Sequence, residues 1–332
     1  MTPRTSVIRF LGLAGAACVW IAPLSAAAQT DSARDYPARP VRLVVPSSAG
    51  GQIDTLARMI SQKASESWGR PVIVENRPGA GGALGISTVA KATPDGYTLL
   101  ATAPNFIISA ALQPKLPYDP LKDFAGVTQL GFSTQALVIT PALGPKSLKE
   151  FIAFAYNQPG KLLYSSAGAG TSNHLTSERF RMAAGLKVTG VAFKGAPEAV
   201  IETLGGRTHF SILPLPVLLP FVKDGRLLAL AVNSTQRSPL LPDVPALAET
   251  LPEFKKNEAG FGLLAPAKTP RALLAKINKE IVRILDLPDV RKQVLNMGFV
   301  PETSTPDEHD RLVRAQIETL SNVVRVAGLR TQ

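Results

Sequence analysis

The sequence predicts an α/β protein built as two lobes joined by two chain crossings. Three observations predict it. Short apolar runs alternate with amphipathic stretches, the pattern of strands and helices layered on largely parallel sheets. A strand–loop–helix device occurs twice. Residues 42–45 lead into Pro46-Ser47-Ser48-Ala49-Gly50-Gly51, and residues 162–164 lead into Ser165-Ser166-Ala167-Gly168-Ala169-Gly170-Thr171. The 332 residues are also enough for two domains.

Residues 1–28 read as a secretory signal peptide. Arg4 and Arg9 are its only charges, an apolar run extends from Phe10 to Leu24, and Ser25-Ala26-Ala27-Ala28 places small residues at a cleavage site near Ala28. That run is too short to span a membrane, and no later stretch has the ~18 uninterrupted apolar residues a span needs. The expected product is exported and soluble. Cys18 is the only cysteine, and a lipidated N-terminus there is the alternative. Apolar Val19-Trp20-Ile21 continue past it, which favours cleavage after the alanines. A mature chain without disulfides must be held by a large core.

Strands are expected at 41–45, 72–75, 97–101, 136–140, 162–165, 209–213 and 227–232. The last is continuously apolar, as for a strand covered on both faces. After Gly51, residues Ile53, Leu56, Ala57, Ile60 and Ala64 share one helical face, and Gly69 stops the helix. Pro197 opens a helix that Gly205-Gly206 ends. A further amphipathic helix is expected at 271–285. Thr305-Pro306-Asp307-Glu308 is a capping box, followed by a stripe of Leu312, Ile317, Leu320 and Val324 and closed by Gly328. Segments 130–141 and 231–238 are the expected hinges. The first lobe would then hold 36–130 and 239–332, and the second 131–238 with the hinge segments.

The repeated loop has chemical meaning. A strand-to-helix turn leaves backbone N–H groups unpaired and adds the positive end of the helix dipole, so it can hold an anion. One glycine-rich loop often serves only as a tight turn. A pair, one in each lobe, points to one anion gripped between them. Neither is a nucleoside-triphosphate loop, since no Gly-Lys-Ser/Thr follows. The glycine-rich stretch 79–85 is separated from the preceding strand by Asn76-Arg77-Pro78 and departs from the dinucleotide fingerprint. It reads as a loop that lets the next helix approach closely. Asp54 and His174 fall in the first turns of the two loop helices. Asp54 either accepts backbone N–H bonds, orders water or meets an amino group. His174 either caps and packs or donates an imidazole N–H to the ligand.

The net charge of +11 favours anionic ligands. Basic residues are scattered and aromatics make up only 6%, which argues against nucleic acid. There is no Gly-x-Ser-x-Gly elbow, and His174, His209 and His309 are too far apart for zinc-ligand spacing. The expectation is a binding protein without catalytic residue, metal or organic cofactor.

These residues add up to a resemblance. From Tyr36-Pro37 to the C-terminal helix the chain resembles the extracytoplasmic solute receptors of tripartite tricarboxylate transporters, also called TctC or Bug receptors. The resemblance rests on Val45-Pro46 with Ala49-Gly50-Gly51 and Asp54, on Val74-Glu75-Asn76-Arg77-Pro78-Gly79-Ala80-Gly81-Gly82, and on Pro94-Asp95-Gly96-Tyr97. It continues through Leu116-Pro117-Tyr118-Asp119-Pro120, Ser166-Ala167-Gly168-Ala169-Gly170-Thr171 with His174, Lys194-Gly195 and Leu241-Pro242-Asp243-Val244-Pro245. It implies a type II-like, Venus-flytrap periplasmic binding protein, a monomer, that closes on a small carboxylate and presents it to integral-membrane permease subunits. A sensor that signals to a membrane histidine kinase is the alternative. It also implies a site made by Ser47, Ser48, Gly50, Gly51 and Asp54 in one lobe and by Ser166, Gly168, Ala169, Gly170, Thr171 and His174 in the other. Thr102 and Asn105 would face the same cleft, with Lys194, Gly195 and Leu213. Ser47 stands where the family usually has a bulky aromatic residue, and Ile53 where threonine is common. Leu213-Pro214-Leu215-Pro216 stands where many members carry an aspartate or another polar residue. That substitution disfavours an amino-acid ligand.

The expected absence of a metal is testable. Protein stripped by chelator and dialysis should keep full ligand binding in a calorimetric titration. Loss of binding that a divalent ion restores would overturn the expectation.

Overall fold

Val41, Leu43 and Val45 of the first strand, β1 (Val41–Val45), face one apolar core and Val44 faces another. This period of two makes β1 the centre of the first lobe. The computed structural model describes residues 34–113, 115–255 and 260–329, so the expected leader and Cys18 lie outside the described residues. Helix α1 (Gln52–Trp68) buries Ile53, Leu56, Ala57, Ile60 and Ala64 as its sequence stripe requires, and Gly69 ends it in the left-handed conformation. Strands β2 (Val72–Asn76) and β3 (Thr98–Thr102) flank β1 in parallel. Helices α2 (Ala83–Ala90) and α3 (Asn105–Leu112) follow β2 and β3. Strand β4 (Phe124–Ser133) then leads out of the lobe.

The second lobe runs from β5 (Gln135–Ile139) and α4 (Leu148–Tyr156) through β6 (Leu163–Ser166), α5 (Ser172–Ala183), β7 (Thr189–Ala192) and α6 (Ala196–Leu204). It continues with β8 (Phe210–Pro214), α7 (Leu215–Lys223), β9 (Leu228–Asn233) and α8 (Leu247–Thr250). The chain returns to the first lobe at β10 (Phe261–Pro266) and ends with α9 (Arg271–Leu285), α10 (Pro288–Asn296), β11 (Phe299–Val300) and α11 (Pro306–Ala327).

The two sheets have one plan. The first runs β2-β1-β3-β10-β4-β11 and the second β7-β6-β8-β5-β9. In each, three parallel strands are followed by one reversed strand: β10 is antiparallel to β3 and β4, and β5 is antiparallel to β8 and β9. The reversed strand is in both cases the one by which the chain enters from the other lobe. Hence β1 corresponds to β6, β2 to β7 and β3 to β8. The loops after β1 and β6 occupy equivalent places beyond the carboxyl ends of their strands, next to the point where the strand order reverses. That is where open α/β sheets bind ligands.

Thr134, between β4 and β5, is the crossing residue and is held from both sides. Its N–H donates to the Gly298 carbonyl of the first lobe, and its carbonyl accepts from Leu215 N–H of the second. This lies inside the expected hinge 130–141. The second crossing does not lie at 231–238. Leu247, Leu251 and Phe254 are buried in the second lobe's core, and Val232 bridges to Ala246. The chain therefore returns after Phe254, and residues 239–254 belong to the second lobe. Their turn-rich sequence hides three core side chains. Strands β4, β7, β10 and β11 were not expected. In β4, Gly126 and Gly131 interrupt the apolar pattern because His309, Asp310 and the Val300 backbone press against them.

The expected close approach at 79–85 is present. A Cβ on Gly85 would stand 2.7 Å from the Arg77 carbonyl and 3.0 Å from Pro46 Cα, so glycine lets α2 brace the first loop. Helix α9 buries Leu273, Leu274, Ile277, Ile281, Ile284 and Leu285 on the first sheet. Truncating Ile277 to alanine would cost about 2–5 kcal/mol. The Thr305 capping box forms, with Glu308 N–H donating to Thr305 Oγ1 and Thr305 N–H to the Glu308 carboxylate. The buried face of α11 is His309, Val313, Gln316, Val323 and Val324, so only Val324 of the expected stripe is fully covered. None of the helices among the described residues is long and apolar enough to cross a membrane.

His309 is 6% exposed, and neither ring nitrogen has a hydrogen-bond partner among the described residues. Burial pushes its imidazole down to about 4 from an ordinary 6.5. The folded form thus binds fewer protons than the unfolded one. Its stabilising effect is complete above pH 6.5 and is lost as pH falls toward 4, amounting to about 3 kcal/mol. Denaturant titrations across that window should find His309→Leu less acid-sensitive than the wild type. Equal slopes for the two proteins would refute this.

Candidate functional site

The first loop runs from the end of β1 to the start of α1. Gly50 takes φ +83°, and Gly51 caps the helix in extended conformation. Asp54, the third residue of the helix, reaches back. Its carboxylate accepts from Gly50 N–H at 2.8 Å, Arg58 Nε at 3.0 Å and Asn76 Nδ2 at 2.8 Å. Asn76 also donates to the Ser47 carbonyl, and Arg58 donates to Asn76 Oδ1. Asp54 is 2% exposed. Burial alone would raise its carboxyl, but the donors from Arg58, Gly50 and Asn76 outweigh that and hold it below the ordinary range. Asp54 is therefore a saturated brace for the loop.

The second loop repeats this arrangement with different chemistry. Gly170 takes φ +72°, and Thr171 caps α5 in extended conformation. His174, again the third residue of its helix, accepts from Gly170 N–H through Nδ1 at 3.0 Å. Asn173 accepts from Ala167 N–H, and Thr171 Oγ1 donates to the Gly168 carbonyl. A third copy stands after β7, where Lys194 N–H donates to Glu198 Oε2 at 2.9 Å and Gly195 caps α6. In all three, the residue before the cap gives its N–H to a side chain four residues on. The same lock starts α4, away from this end of the sheet, between Lys146 N–H and Glu150. It is thus a general way of fixing a helix start.

The locks leave the neighbouring donors unspent. Among the described residues, the N–H groups of Ser48, Ala49, Gly51 and Gln52 have no protein acceptor, nor do those of Gly168, Ala169, Ser172 and Asn173. Each set adds a helix dipole, so each attracts negative charge.

The other expected residues are placed differently. Thr102 is buried and spends its hydroxyl on the Gly262 carbonyl. Asn105 donates to the Gly81 carbonyl and buttresses the 79–82 loop. Lys194 is exposed beside Gly195. Ser166 is fully buried at the end of β6. Leu213 needs correction as a ligand contact: it is fully buried in the second lobe's core and pairs with Ala136. Pro214, one residue on, ends the strand.

A cavity of about 430 Å³ lies between the lobes at the hinge. It is lined by Pro104, Thr134, Gln135, Ser172, Asn233 and Phe254 among others. It reaches the start of α5 but not the first loop, whose helix meets the hinge through Gln52 Nε2 and Ser133 Oγ at 3.5 Å. Gln135 Nε2 donates to Ser172 Oγ at 3.0 Å, and its buried Oε1 has no partner among the described residues. Sequence reasoning missed Gln135 and Asn173. The polar run Thr171-Ser172-Asn173 at a helix start was the available signal for Asn173; Gln135 had none. Among the described residues no cluster of histidine, cysteine and carboxylate side chains has metal-site geometry.

The comparisons with known proteins agree with this architecture. The sequence pattern of the tripartite tricarboxylate transporter family receptor matches residues 56–329. Protein BugT of Bordetella pertussis is 33% identical over 328 residues, covering 98% of this chain and 99% of that protein. Two solved structures are similar. R. palustris Rpa4515 with adipate is 31% identical at a TM-score of 0.70, covering 89% of this chain and 99% of that one. MatC from Rhodopseudomonas palustris with bound malate is 32% identical at 0.66, covering 87% and 100%. With its two like-planned lobes and paired helix-start loops, the chain belongs to the tripartite tricarboxylate transporter family of receptors.

Proposed function

We propose that this chain is a periplasmic receptor that captures a small carboxylate between its lobes and delivers it to the membrane subunits of a tripartite tricarboxylate transporter. The observation that carries this reading is the pair of equivalent loops, after β1 and after β6, each with unspent N–H donors at a helix start. The relatives with adipate and malate support the ligand class. The expected leader fits export.

The mechanism is closure. A carboxylate touching one loop gains that loop's hydrogen bonds alone. Touching both, it favours the closed arrangement by the difference. Charge-assisted hydrogen bonds contribute about 1.5–3 kcal/mol each, so a handful reaches the roughly −8 kcal/mol of micromolar binding after closure costs. Thr134 supplies the pivot and holds to both lobes.

The ligand is expected to lack an amino group near its carboxylate. Asp54 is saturated by three donors, and the end of β8 offers prolines and leucines. An ammonium buried there would lose water without a substitute.

A thermal-shift screen over mono-, di- and tricarboxylates is expected to find at least one strong stabiliser. A ligand at a hundredfold its Kd adds about 2.7 kcal/mol. Stabilisation by neutral sugars or cations alone would sink the reading. Matched pairs such as succinate and aspartate should favour the plain acid; consistent preference for the amino acid would overturn the ligand class.

Gly170→Asp places a negative charge beside the free donors. Gly170→Asn imposes the same strain at φ +72° without charge. Calorimetry should find the aspartate variant at least about tenfold weaker than the asparagine variant, ~1.4 kcal/mol. Equal affinities would remove the second loop from the site.

A further inference from the structure

We propose that His174 is the positioning residue of the second carboxylate loop, holding it in its binding form only while the imidazole is unprotonated, so that ligand affinity falls as the ring takes up a proton. The inference rests on the reading of the 166–171 loop as a carboxylate site.

The geometry carries it. His174 Nδ1 accepts the Gly170 N–H at 3.0 Å, so the neutral ring carries its proton on Nε2. A second proton has to go to Nδ1, where it meets the Gly170 N–H head-on. One of the two donors must then leave, and Gly170 is the residue that sets the loop's left-handed turn. The ring has little room to retreat. It is 9% exposed and lies 6.3 Å from the Tyr164 ring. At the equivalent places Asp54 and Glu198 make the same lock with carboxylates. Of the three, only the imidazole has an ordinary pKa close to neutrality.

The surrounding charges do not rescue the protonated ring. Glu178, one turn along α5, favours it, but its carboxylate is taken up by Arg181 at 2.8 and 3.0 Å and by Tyr164 Oη at 2.6 Å. Burial opposes protonation more strongly than Glu178 favours it, and the ring lies below its ordinary value. The turn after β7, which packs on Gly168 through the Phe193 carbonyl, carries Lys194, and Glu198 follows in the first turn of α6. Helix α3, which meets Gly170 through Leu112, has no titratable residue. The second half of helix α11, residues 317–327, which packs on α5, has Glu318 and Arg325 as its charged residues, both exposed. A bound carboxylate would attract an imidazolium, so the opposite sign is a real rival: tighter binding in acid. The lock decides against it, because the nitrogen that would gain the charge already holds the loop.

The test has one arm without ligand and one with. In protein labelled with 15N in glycine and histidine, the Gly170 amide and the His174 ring should titrate together. The amide should exchange faster on the acid side. His174→Asn keeps an acceptor at the δ1 position and cannot titrate, so its Gly170 amide should stay protected throughout. His174→Leu should lose protection at every pH. With adipate as probe, wild-type affinity should be at least about threefold weaker at pH 5 than at pH 7.5, beyond any change seen in His174→Asn. Whatever its affinity at pH 7.5, the asparagine variant should lose none of it toward pH 5, and the leucine variant should be weak at both.

Tighter wild-type binding in acid would overturn the proposal, as would a pH profile unchanged in His174→Asn. A Gly170 amide indifferent to the His174 titration would overturn it without any ligand. Failure of adipate to bind any of the three proteins at any pH would instead count against the carboxylate reading and remove the affinity claim with it. The amide measurement would still score the lock.

Discussion

The paired loops depend on how the backbone donors at two helix starts are divided between those the protein satisfies and those it leaves unpaired. A helix begins with N–H groups that have no partner inside it. Here one side chain per loop, Asp54 or His174, takes the N–H of the residue before the cap and leaves the next few unpaired. Exposed to water, those donors cost nothing. Covered by the opposite lobe without an acceptor, each would cost about 1–3 kcal/mol. Closure without an anion is therefore penalised by the groups that reward closure with one. On the proposed function, the donors that would bind the ligand would also disfavour closure of the empty protein, which is the differential affinity that any ligand-driven change requires.

The sheets put this device in place. Each has three parallel strands and one reversed strand, and the reversed strand is where the chain arrives from the other lobe. The two lobes therefore present the same end of the same layout to each other. The supports differ from lobe to lobe. The first loop is braced from β2 by Asn76 and by the close approach of α2 at Gly85, and its lock is a carboxylate. The second is braced by Asn173 and Thr171 within its own helix start, and its lock is an imidazole. Like architecture thus carries unlike locks, one a carboxylate and one an imidazole.

Much of this could be read in the chain itself. The repeated Ser-Ser-Ala-Gly after an apolar run marked both loops, and the stripes of α1 and α9 and the Thr305 box marked their helices, because these signals are local. What could not be read was non-local. Strand β4 is broken by Gly126 and Gly131, which are small because other elements press on them. The second crossing was misplaced because Leu247, Leu251 and Phe254 lie in a turn-rich stretch whose burial only the assembled core reveals. Leu213 looked like a cleft residue from its place at a strand end. Being one residue earlier than the true end turns it to the opposite face, into the core. Thr102 and Asn105 are polar residues at a strand-to-helix turn, yet Gly262 and Gly81 take their donors.

The lobes are not joined evenly around the cleft. On one side Ile108 of α3, Leu175 of α5 and Val324 of α11 are buried together, with Leu112, Leu320 and Leu329 packed on them. A Cβ on Gly170 would already stand 3.1 Å from Leu112, so the second loop lies directly against the first lobe. The first loop's helix meets the hinge through one long polar contact, Gln52 to Ser133. Separating the apolar seam costs about 25 cal/mol for each Å² exposed, whereas a single exposed hydrogen bond is readily exchanged for water. The seam thus holds Gly170, and through it His174, against both lobes at once.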